Sequence, residues 1–178
     1  MKHRMRETNK IAWVVMGVSG CGKSEVGRRL AQAVGARFIE GDSFHPPANL
    51  AKMAAGTALD DADRLGWLEA LRVEIERTWA AGEVAVLACS ALKRRYRDIL
   101  RGKGGEVRFV HLHGKRGLIA ARMGARSGHF MPVALLDSQL RDLEPLQPDE
   151  VGVMLDVIDP PDRLVEQAML SLPEPGID

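Results

Sequence analysis

The chain has 178 residues, of which 46% are hydrophobic and 28% charged, and its 25 Lys and Arg residues nearly balance 24 Asp and Glu residues. At roughly 150 residues per domain, this length predicts one domain, and the apolar content excludes a disordered chain. The balanced charge argues against a protein that coats nucleic acid. Cys21 and Cys89 are too few for a disulfide scaffold or a four-ligand zinc site, and they fit a reducing cytoplasm.

The amino terminus combines a basic stretch with a short apolar run, as signal peptides do. The longest uncharged stretch there covers only residues 11–22, below the roughly 18–20 residues needed to cross a bilayer. We therefore expect a soluble protein with no membrane partner and a loose leader over residues 1–10.

Short apolar runs alternate with segments of helical period along the chain. In chain order, the pattern predicts a strand at 11–16, a helix at 23–34, a strand at 37–40, helices at 46–55 and 60–81, a strand at 84–88, a basic helix capped by Ser90, a strand at 107–112, helices at 115–126 and 132–142, a strand at 151–157 and a helix at 160–170. Strands that alternate with helices form a parallel sheet with right-handed crossovers. We expect one three-layer α/β domain over residues 11–178.

The strongest motif is GVSGCGKS, which matches G-x-x-x-x-G-K-[ST] and lies between the first predicted strand and helix. In such a loop the glycines let backbone N–H groups turn toward a phosphate, and the helix N-terminus and Lys23 add positive charge. Ser24 can bind Mg²⁺ through its hydroxyl. The predicted nucleotide-binding residues here are Gly17, Ser19, Gly20, Cys21, Gly22, Lys23 and Ser24.

The motif alone leaves motors, GTPases and small-molecule kinases open. No N-K-x-D motif follows a late strand to recognise guanine, and the strand at 84–88 runs into Cys89-Ser90 without the terminal Asp that holds Mg²⁺ in motors and GTPases. A small kinase is favoured, because it can take its carboxylate from the second strand. A nucleotide-switched binding protein without turnover is an alternative.

The second strand ends in Glu40-Gly41-Asp42, at the carboxyl edge of the sheet, where ligands of open α/β folds bind. Period-2 alternation places both carboxylates on the same side. We expect Glu40 to hold Mg²⁺ and Asp42 to accept the proton of an attacking hydroxyl. Two solvated loop acids are the alternative interpretation.

Further blocks follow the phosphate loop in a specific order: GDSFHPPANLAKMAAG at 41–56, LDDADR at 59–64 with Trp67 after it, CSALKRRYRD at 89–98, GHFMP at 128–132 and LLDSQLRDLEP at 135–145. Together these blocks resemble gluconate kinases, the small P-loop kinases that phosphorylate D-gluconate at its 6-hydroxyl. The Asp-x-x-His-Pro and Cys-Ser-Ala-Leu-Lys blocks are the most specific part of the resemblance.

The resemblance implies a nucleoside- and shikimate-kinase-like fold with a five-stranded parallel sheet, substrate-binding helices at about 45–81 and a mobile lid at about 122–132. It also implies ATP, Mg²⁺ and a homodimer. The chain has Ala58 and Gly66 where the family usually has Pro. It has Ala62 where an acid is usual and Glu40 where Asp is more common. Shikimate is the nearest alternative acceptor, because shikimate kinases also use an acidic second strand and arginines for a carboxylate.

Gluconate is an anionic polyol, so its site needs charged and hydrogen-bonding groups. His45 precedes a predicted helix on which Asn49, Lys52 and Met53 share one face. Met53 is expected to pack rather than to bind, and the alternative for His45 and Lys52 is a helix cap and a solvated charge. The expected substrate-binding residues on this side are Asp42, His45, Asn49 and Lys52. The resemblance adds Asp63 and Arg64 to this set.

Lys93 and Arg97 are four residues apart in the predicted basic helix, so they would face the same way. Arg can bind a carboxylate through two parallel hydrogen bonds, and Lys supplies a point charge. We expect this pair to bind the substrate carboxylate. The alternative is a solvated basic face that binds RNA, which the lack of interleaved aromatic residues disfavours.

Arg122 and Arg126 are also four apart and come just before a glycine-containing loop at 127–131. Closure of such a lid would bring the guanidinium groups onto the nucleotide phosphates and exclude water. The alternative is a basic helix end that complements its own dipole. His129 resembles a lid residue of the family and is expected near the substrate.

Overall fold

Five parallel strands form the centre of the computed structural model, which describes residues 10–125 and 132–172. They are β1 (Ile11–Met16), β2 (Arg37–Glu40), β3 (Ala85–Ala88), β4 (Glu106–His113) and β5 (Gly152–Asp156), and their order across the sheet is β2-β3-β1-β4-β5. All six residues of β1 are buried, because this middle strand is covered on both faces.

Helices cover both faces of the sheet. They are α1 (Lys23–Val34), α2 (Pro47–Ala54), α3 (Asp61–Ala80), α4 (Arg94–Arg101), α5 (Arg116–Ala125), α6 (Leu136–Asp142) and α7 (Pro161–Ser171), with 3₁₀ turns at Gly41–Phe44 and Val133–Leu135. The start of α3 has a reciprocal cap, in which the side chains of Asp60 and Asp63 each accept from the other's backbone N–H.

Two apolar cores lie on opposite faces of the sheet, because successive side chains of a strand alternate in direction. Trp13 and Val15 of β1 belong to the core that includes Leu30 of α1. Val14 belongs to the other core, with Leu71 of α3. This arrangement confirms the predicted three-layer α/β fold with a five-stranded parallel sheet.

The predicted helix capped by Ser90 is wrong at its start. Residues 89–93 are irregular, Ala91 has a positive φ of 44°, and α4 begins only after Lys93. The predicted helix at 132–142 is a 3₁₀ turn followed by α6. The predicted leader at 1–10 lies outside the described residues except for Lys10, whose carbonyl accepts a hydrogen bond from the Glu106 amide.

The loops that follow the strands meet at one edge of the sheet, because all five strands run in the same direction. These loops include residues 17–22, 41–44, 89–93 and 157–160. Of the helices in the described ranges, none is long and apolar enough to span a bilayer.

Candidate active site

The loop at 17–22 connects β1 to α1 through backbone conformations that need glycine. Gly17 has a φ of 145° and Gly22 a φ of 83°, and a Cβ at Gly17 would lie 2.5 Å from the carbonyl oxygen of Leu112. The first N–H groups of α1 have no partner within the helix. This loop therefore presents backbone donors and a positive helix end to an anion.

Lys23 is the first residue of α1, and its ammonium lies over the loop. Its Nζ donates to the carbonyl oxygen of Val18 at 3.0 Å. Within residues 10–125 and 132–172, no carboxylate forms an ion pair with Lys23, so its charge is available to a ligand. Ser24 lines the cavity beside it.

A cavity of about 1070 Å³ opens above this loop. Small-molecule pockets are typically about 300–1,000 Å³, so this volume accommodates two substrates side by side. Its walls come from the loop at 17–22, the end of β2, α3, α5, α6 and the loop after β5.

Two carboxylates enter this cavity from the end of β2. Gly41 separates them and packs so tightly that a Cβ would lie 2.3 Å from the carbonyl oxygen of Ala88. The strand ends at Glu40 and a 3₁₀ turn follows, so period-2 alternation does not extend to Asp42, yet both side chains line the cavity. Glu40 pairs with Arg28 at 3.5 Å, and the exposed Asp42 lies nearer the far wall beside His45.

His45 and Trp67 form that far wall. Their rings stack at 4.0 Å between centroids, and the Trp67 indole N–H donates to the carbonyl oxygen of Gly41 at 2.8 Å. Burial lowers the pKa of His45 to about 4, with Arg64 acting in the same direction and Asp42 opposing it. The imidazole is therefore neutral at physiological pH.

Arg64 is the buried cation on this wall. Its side chain is only 8% exposed, and its Nη1 donates to the Tyr96 hydroxyl at 3.1 Å and to the Asp142 carboxylate at 3.4 Å. The Tyr96 hydroxyl in turn donates to Asp61. That hydrogen bond, followed by the one from Lys93, lowers the pKa of Asp61 to about 2. Nε and Nη2 of Arg64 have no partner among the described residues and can serve a ligand.

The loop after β5 closes the opposite end of the cavity with Ile158, Pro160 and Pro161. Arg122 of α5 lines the same end and donates from Nη2 to the carbonyl oxygen of Val157 at 3.0 Å. An apolar wall next to a guanidinium suits an aromatic base whose phosphates reach the loop at 17–22.

Comparisons with known proteins distinguish among the kinase chemistries. The family model described as shikimate kinase matches residues 19–145. The chain is 47% identical to a gluconokinase of Gluconobacter oxydans over 86% of each chain. It is also 46% identical to the thermosensitive gluconokinase of Escherichia coli, over 80% of this chain and 76% of that protein. The protein belongs to the gluconokinase family. The family match also places it in the shikimate kinase family.

Solved structures agree with this gluconokinase assignment. A gluconokinase from Sinorhizobium meliloti 1021 is 48% identical over 90% of each chain, with a TM-score of 0.79. A sugar kinase from Janibacter sp. HTCC2649 is 46% identical over 90% of this chain and 93% of that one, with a TM-score of 0.86. Both are kinases, as the phosphate loop and its facing carboxylates predict.

The structure buries Arg97 and does not bring it to the cavity lining, contrary to the prediction that it faces the substrate with Lys93. Its fully buried guanidinium pairs with the fully buried carboxylate of Glu150 at 2.6 Å and donates to the carbonyl oxygens of Ala91, Leu92 and Pro145. Lys93 precedes α4 in extended conformation, so the two residues do not share a helix face. Its ammonium pairs with Asp61 at 3.0 Å.

The predicted substrate-binding residues on α2 and α3 make mostly internal contacts. Lys52 pairs with Asp63 at 2.5 Å, and the buried Asn49 donates to the backbone carbonyl of Asp63 at 2.9 Å. These three residues brace α2 against α3 behind the cavity lining. Met53 packs with Leu59 and lines the cavity, as expected of a packing residue.

Two predicted site residues, Arg126 and His129, lie outside the described residues, as does most of the predicted lid. The sequence does not identify three further cavity residues, Trp67, Gln139 and Ile158, or Tyr96, which supports Arg64. The loop at 157–160 could have been found, since it follows a parallel strand. Gln139 could have been found as a polar residue in the apolar row Leu136, Leu140 and Leu143.

Proposed function

We propose that the protein transfers the γ-phosphoryl group of ATP to the 6-hydroxyl of D-gluconate, giving ADP and 6-phosphogluconate. The observation that carries this proposal is that one cavity has two walls of different chemistry. One wall has backbone donors and Lys23, which has no ion pair with a described carboxylate. The other has the exposed Asp42, the neutral His45 and the buried Arg64. Such a site binds two anions and activates a hydroxyl between them.

The nucleotide occupies the side that carries the loop at 17–22. Backbone N–H groups of the loop and the first turn of α1 bind the β-phosphate, and Lys23 turns from Val18 to bridge the β- and γ-phosphates. The apolar wall after β5 holds the base, and Arg122 beside it turns from Val157 toward the phosphates. Donors in place before the reaction stabilise the charge that develops on the transferred group.

The residues around the loop fit Mg²⁺, which prefers hard oxygen ligands and keeps several waters. Ser24 and Glu40 both line the cavity, and the described residues contain no dense cluster of acids that would encapsulate a metal. Ser24 would bind the ion directly and Glu40 through water. When bound, Mg²⁺ neutralises charge on the β- and γ-phosphates.

Gluconate occupies the side that carries Arg64. The unpartnered Nε and Nη2 of Arg64 match the two oxygens of a carboxylate. Asn49 lies 3.4 Å from Nδ1 of the neutral His45, so Nδ1 accepts from Asn49 and Nε2–H remains to donate to a sugar hydroxyl. This assignment replaces Lys93 and Arg97 as the carboxylate anchor.

Asp42 is the general base. Its carboxylate accepts the proton of the 6-hydroxyl as the hydroxyl oxygen forms a bond to the γ-phosphorus, and the bond from that phosphorus to the bridging oxygen of ADP breaks. Asp42 is exposed toward the cavity between the two substrate sides. ADP leaves with the bridging oxygen and its electron pair.

A panel of acceptors tests the proposal. Wild-type protein is assayed with ATP and Mg²⁺ against gluconate, shikimate and adenylylsulfate, and ADP release is followed with a coupled assay. We expect turnover with gluconate and product phosphorylated at O6 by NMR. Turnover with shikimate instead would assign the acceptor that the shikimate kinase match raises, and nucleotide binding without any turnover would favour the switch protein.

An Asp42→Asn variant tests the base. It keeps the size and position of the side chain but cannot take the proton, so we expect loss of at least about a hundredfold in kcat, within the usual range for general-base catalysis. Binding of a non-hydrolysable ATP analogue should be unchanged. Unchanged kcat would remove Asp42 from this role.

We also propose that the protein acts as a homodimer in the cytoplasm. The resemblance supports the dimer, and two free, buried cysteines support a reducing compartment. Sedimentation analysis at micromolar concentration tests the dimer, and a monomer would reject it.

A further inference from the structure

The short helix α6 contacts both sides of the cavity. Gln139 and Asp142 are three residues apart and therefore project from neighbouring positions on one face of the helix. Gln139 reaches the loop at 17–22, and Asp142 reaches Arg64. Neither contact is needed to explain the phosphate transfer itself.

The contact to the loop is buried. Oε1 of Gln139 accepts a hydrogen bond of 2.7 Å from the Ser19 N–H, across 120 positions of the sequence, and both residues are 6% exposed. A buried backbone donor needs a partner. Gln139 therefore fixes the conformation of the loop that holds the nucleotide phosphates.

The contact to the acceptor side is an ion pair. The carboxylate of Asp142 lies 3.4 Å from Nη1 of Arg64, and the Tyr96 hydroxyl contacts the same nitrogen. Both contacts are at Nη1 of Arg64, which lines the cavity, and Nε and Nη2 have no partner among the described residues. Asp142 therefore helps to set the position of the guanidinium group.

Apolar contacts also connect α6 and the turn before it to both sides of the cavity. Leu135 packs with Met53 and Leu59 on the acceptor side. Leu136 belongs to the core beneath the phosphate loop, together with Val18. A displacement of α6 therefore disturbs both substrate sides at once.

We propose that Gln139 and Asp142 are positioning residues through which α6 couples the two substrate sides, so that nucleotide binding tightens gluconate binding and the reverse. This inference rests on the proposed function. By linkage, each ligand changes the affinity of the other by the same factor.

Calorimetry measures the coupling directly. Gluconate is titrated into wild-type protein alone and into protein saturated with Mg²⁺ and a non-hydrolysable ATP analogue. We expect the analogue to tighten gluconate binding about 5- to 150-fold, the usual range for coupled sites, and gluconate to tighten analogue binding by an equal factor. Equal gluconate affinity in both states would overturn the coupling, whereas absence of gluconate binding in either state would instead contradict the proposed function.

Variants test the two residues. Gln139→Met removes the acceptor at similar length, and Asp142→Ala removes the ion pair. Each should reduce the coupling factor to below about twofold, and the double variant should lose no more than either single one, because one helix carries both contacts.

Asp137→Ala is the matched control on the same helix. Asp137 is exposed and pairs with Arg116 at 2.6 Å on the surface, so its loss should keep the wild-type coupling factor. Coupling that survives in both Gln139→Met and Asp142→Ala, or that is lost equally in Asp137→Ala, would overturn the proposal.

Hydrogen exchange on the wild-type protein gives a test that does not depend on the folding of any variant. With gluconate alone, we expect slower exchange of amides in residues 17–22, which gluconate does not touch. Unchanged exchange in this loop at saturating gluconate would contradict coupling through α6.

Discussion

The two sides of the cavity are built in different ways. The nucleotide side is one continuous segment, residues 17–24, in which backbone N–H groups and Lys23 carry the function. The acceptor side is assembled from single side chains, Asp42, His45 and Arg64, on different elements that also contact α4 and α6. The nucleotide side is therefore encoded mostly in one local segment, with Gln139 as a distant support for its loop, whereas every side chain of the acceptor side depends on the packing of distant elements.

The buried ion pair of Arg97 and Glu150 provides the largest expected effect on that packing. Both side chains are fully buried. Removing one partner of such a pair costs about 3–5 kcal/mol because the other buried charge loses its main partner. Glu150 would keep only the longer contacts to Arg94 at 3.4 Å and Arg101 at 3.9 Å. Arg97→Met should therefore lower the free energy of unfolding by about that amount in urea titrations, while the folded fraction keeps the wild-type KM for gluconate.

The double variant Arg97→Met/Glu150→Leu is the control. Replacing both charges with apolar side chains removes the weakly paired carboxylate and should recover much of the lost stability. If the single variant stays as stable as wild type but loses gluconate affinity more than tenfold, Arg97 binds substrate after all.

The same contrast explains what the sequence could predict. The strands, α1 and the phosphate loop follow from local periodicity and a contiguous motif, and the structure matches them. The predicted shared helix face of Lys93 and Arg97 is wrong, because Lys93 is the extended residue that precedes α4. Glu150, 53 positions away, cannot be identified from spacing.

The sequence predicts His45 from its place before α2 and Arg64 through the resemblance, and the structure brings both to the cavity. Their supporting contacts were not predictable in this way. Tyr96 and Asp142 reach Arg64 from 32 and 78 positions away, so only the folded chain reveals them.

Lys23→Ala tests the nucleotide side. Loss of one well-placed donor in a phosphoryl-transfer site costs about 3–4 kcal/mol in the transition state, so kcat should fall at least about a hundredfold. Lys103→Ala, which removes an exposed lysine in the loop before β4, serves as control and should keep wild-type turnover. Near-normal kcat in Lys23→Ala would mean that the backbone alone suffices on this side.

Arg64→Lys tests the acceptor side. Lysine keeps the charge but loses the planar fork, and hydrogen bonds to charged groups contribute about 1.5–3 kcal/mol. We expect the KM for gluconate to rise about 10- to 150-fold, with a smaller change in the KM for ATP. The exposed Arg95, which pairs with Asp61, gives the control Arg95→Lys. Equal increases in both variants would reject Arg64 as the specific carboxylate anchor.

The pH dependence tests the electrostatics of the same wall. Burial, with Arg64 nearby, lowers the pKa of His45 to about 4, below the ordinary value of about 6.5. The unfolded chain therefore binds more protons between these values, so the stability contribution is present above about pH 6.5 and is lost as the pH falls toward 4.

Activity should not show this titration. Because His45 is neutral in the folded protein, kcat/KM for gluconate should have no step near pH 6.5, and His45→Asn should flatten part of the fall in unfolding free energy between pH 6.5 and 4. A step in kcat/KM near pH 6.5 that disappears in His45→Asn would show that the imidazole of the folded protein gains its proton near that pH.

The smallest effect concerns the backbone of α3, which carries Arg64 and Trp67. Gly66 lies inside this helix, and no atom would lie within 4 Å of a Cβ placed there. Glycine within a helix costs about 0.5–1 kcal/mol relative to alanine, so Gly66→Ala should raise the free energy of unfolding by about that amount without changing either KM.

Gly56→Ala is the matched control, because Gly56 also has open space around its missing Cβ but a φ of 81°. Alanine is strained in that conformation, so this variant should be less stable than wild type. If Gly66→Ala raises the free energy of unfolding and Gly56→Ala lowers it, then backbone conformation, rather than free volume, decides which glycines the acceptor side needs. If Gly66→Ala raised the KM for gluconate, the helix would have to move during the reaction, and the acceptor side would be less rigid than its contacts imply.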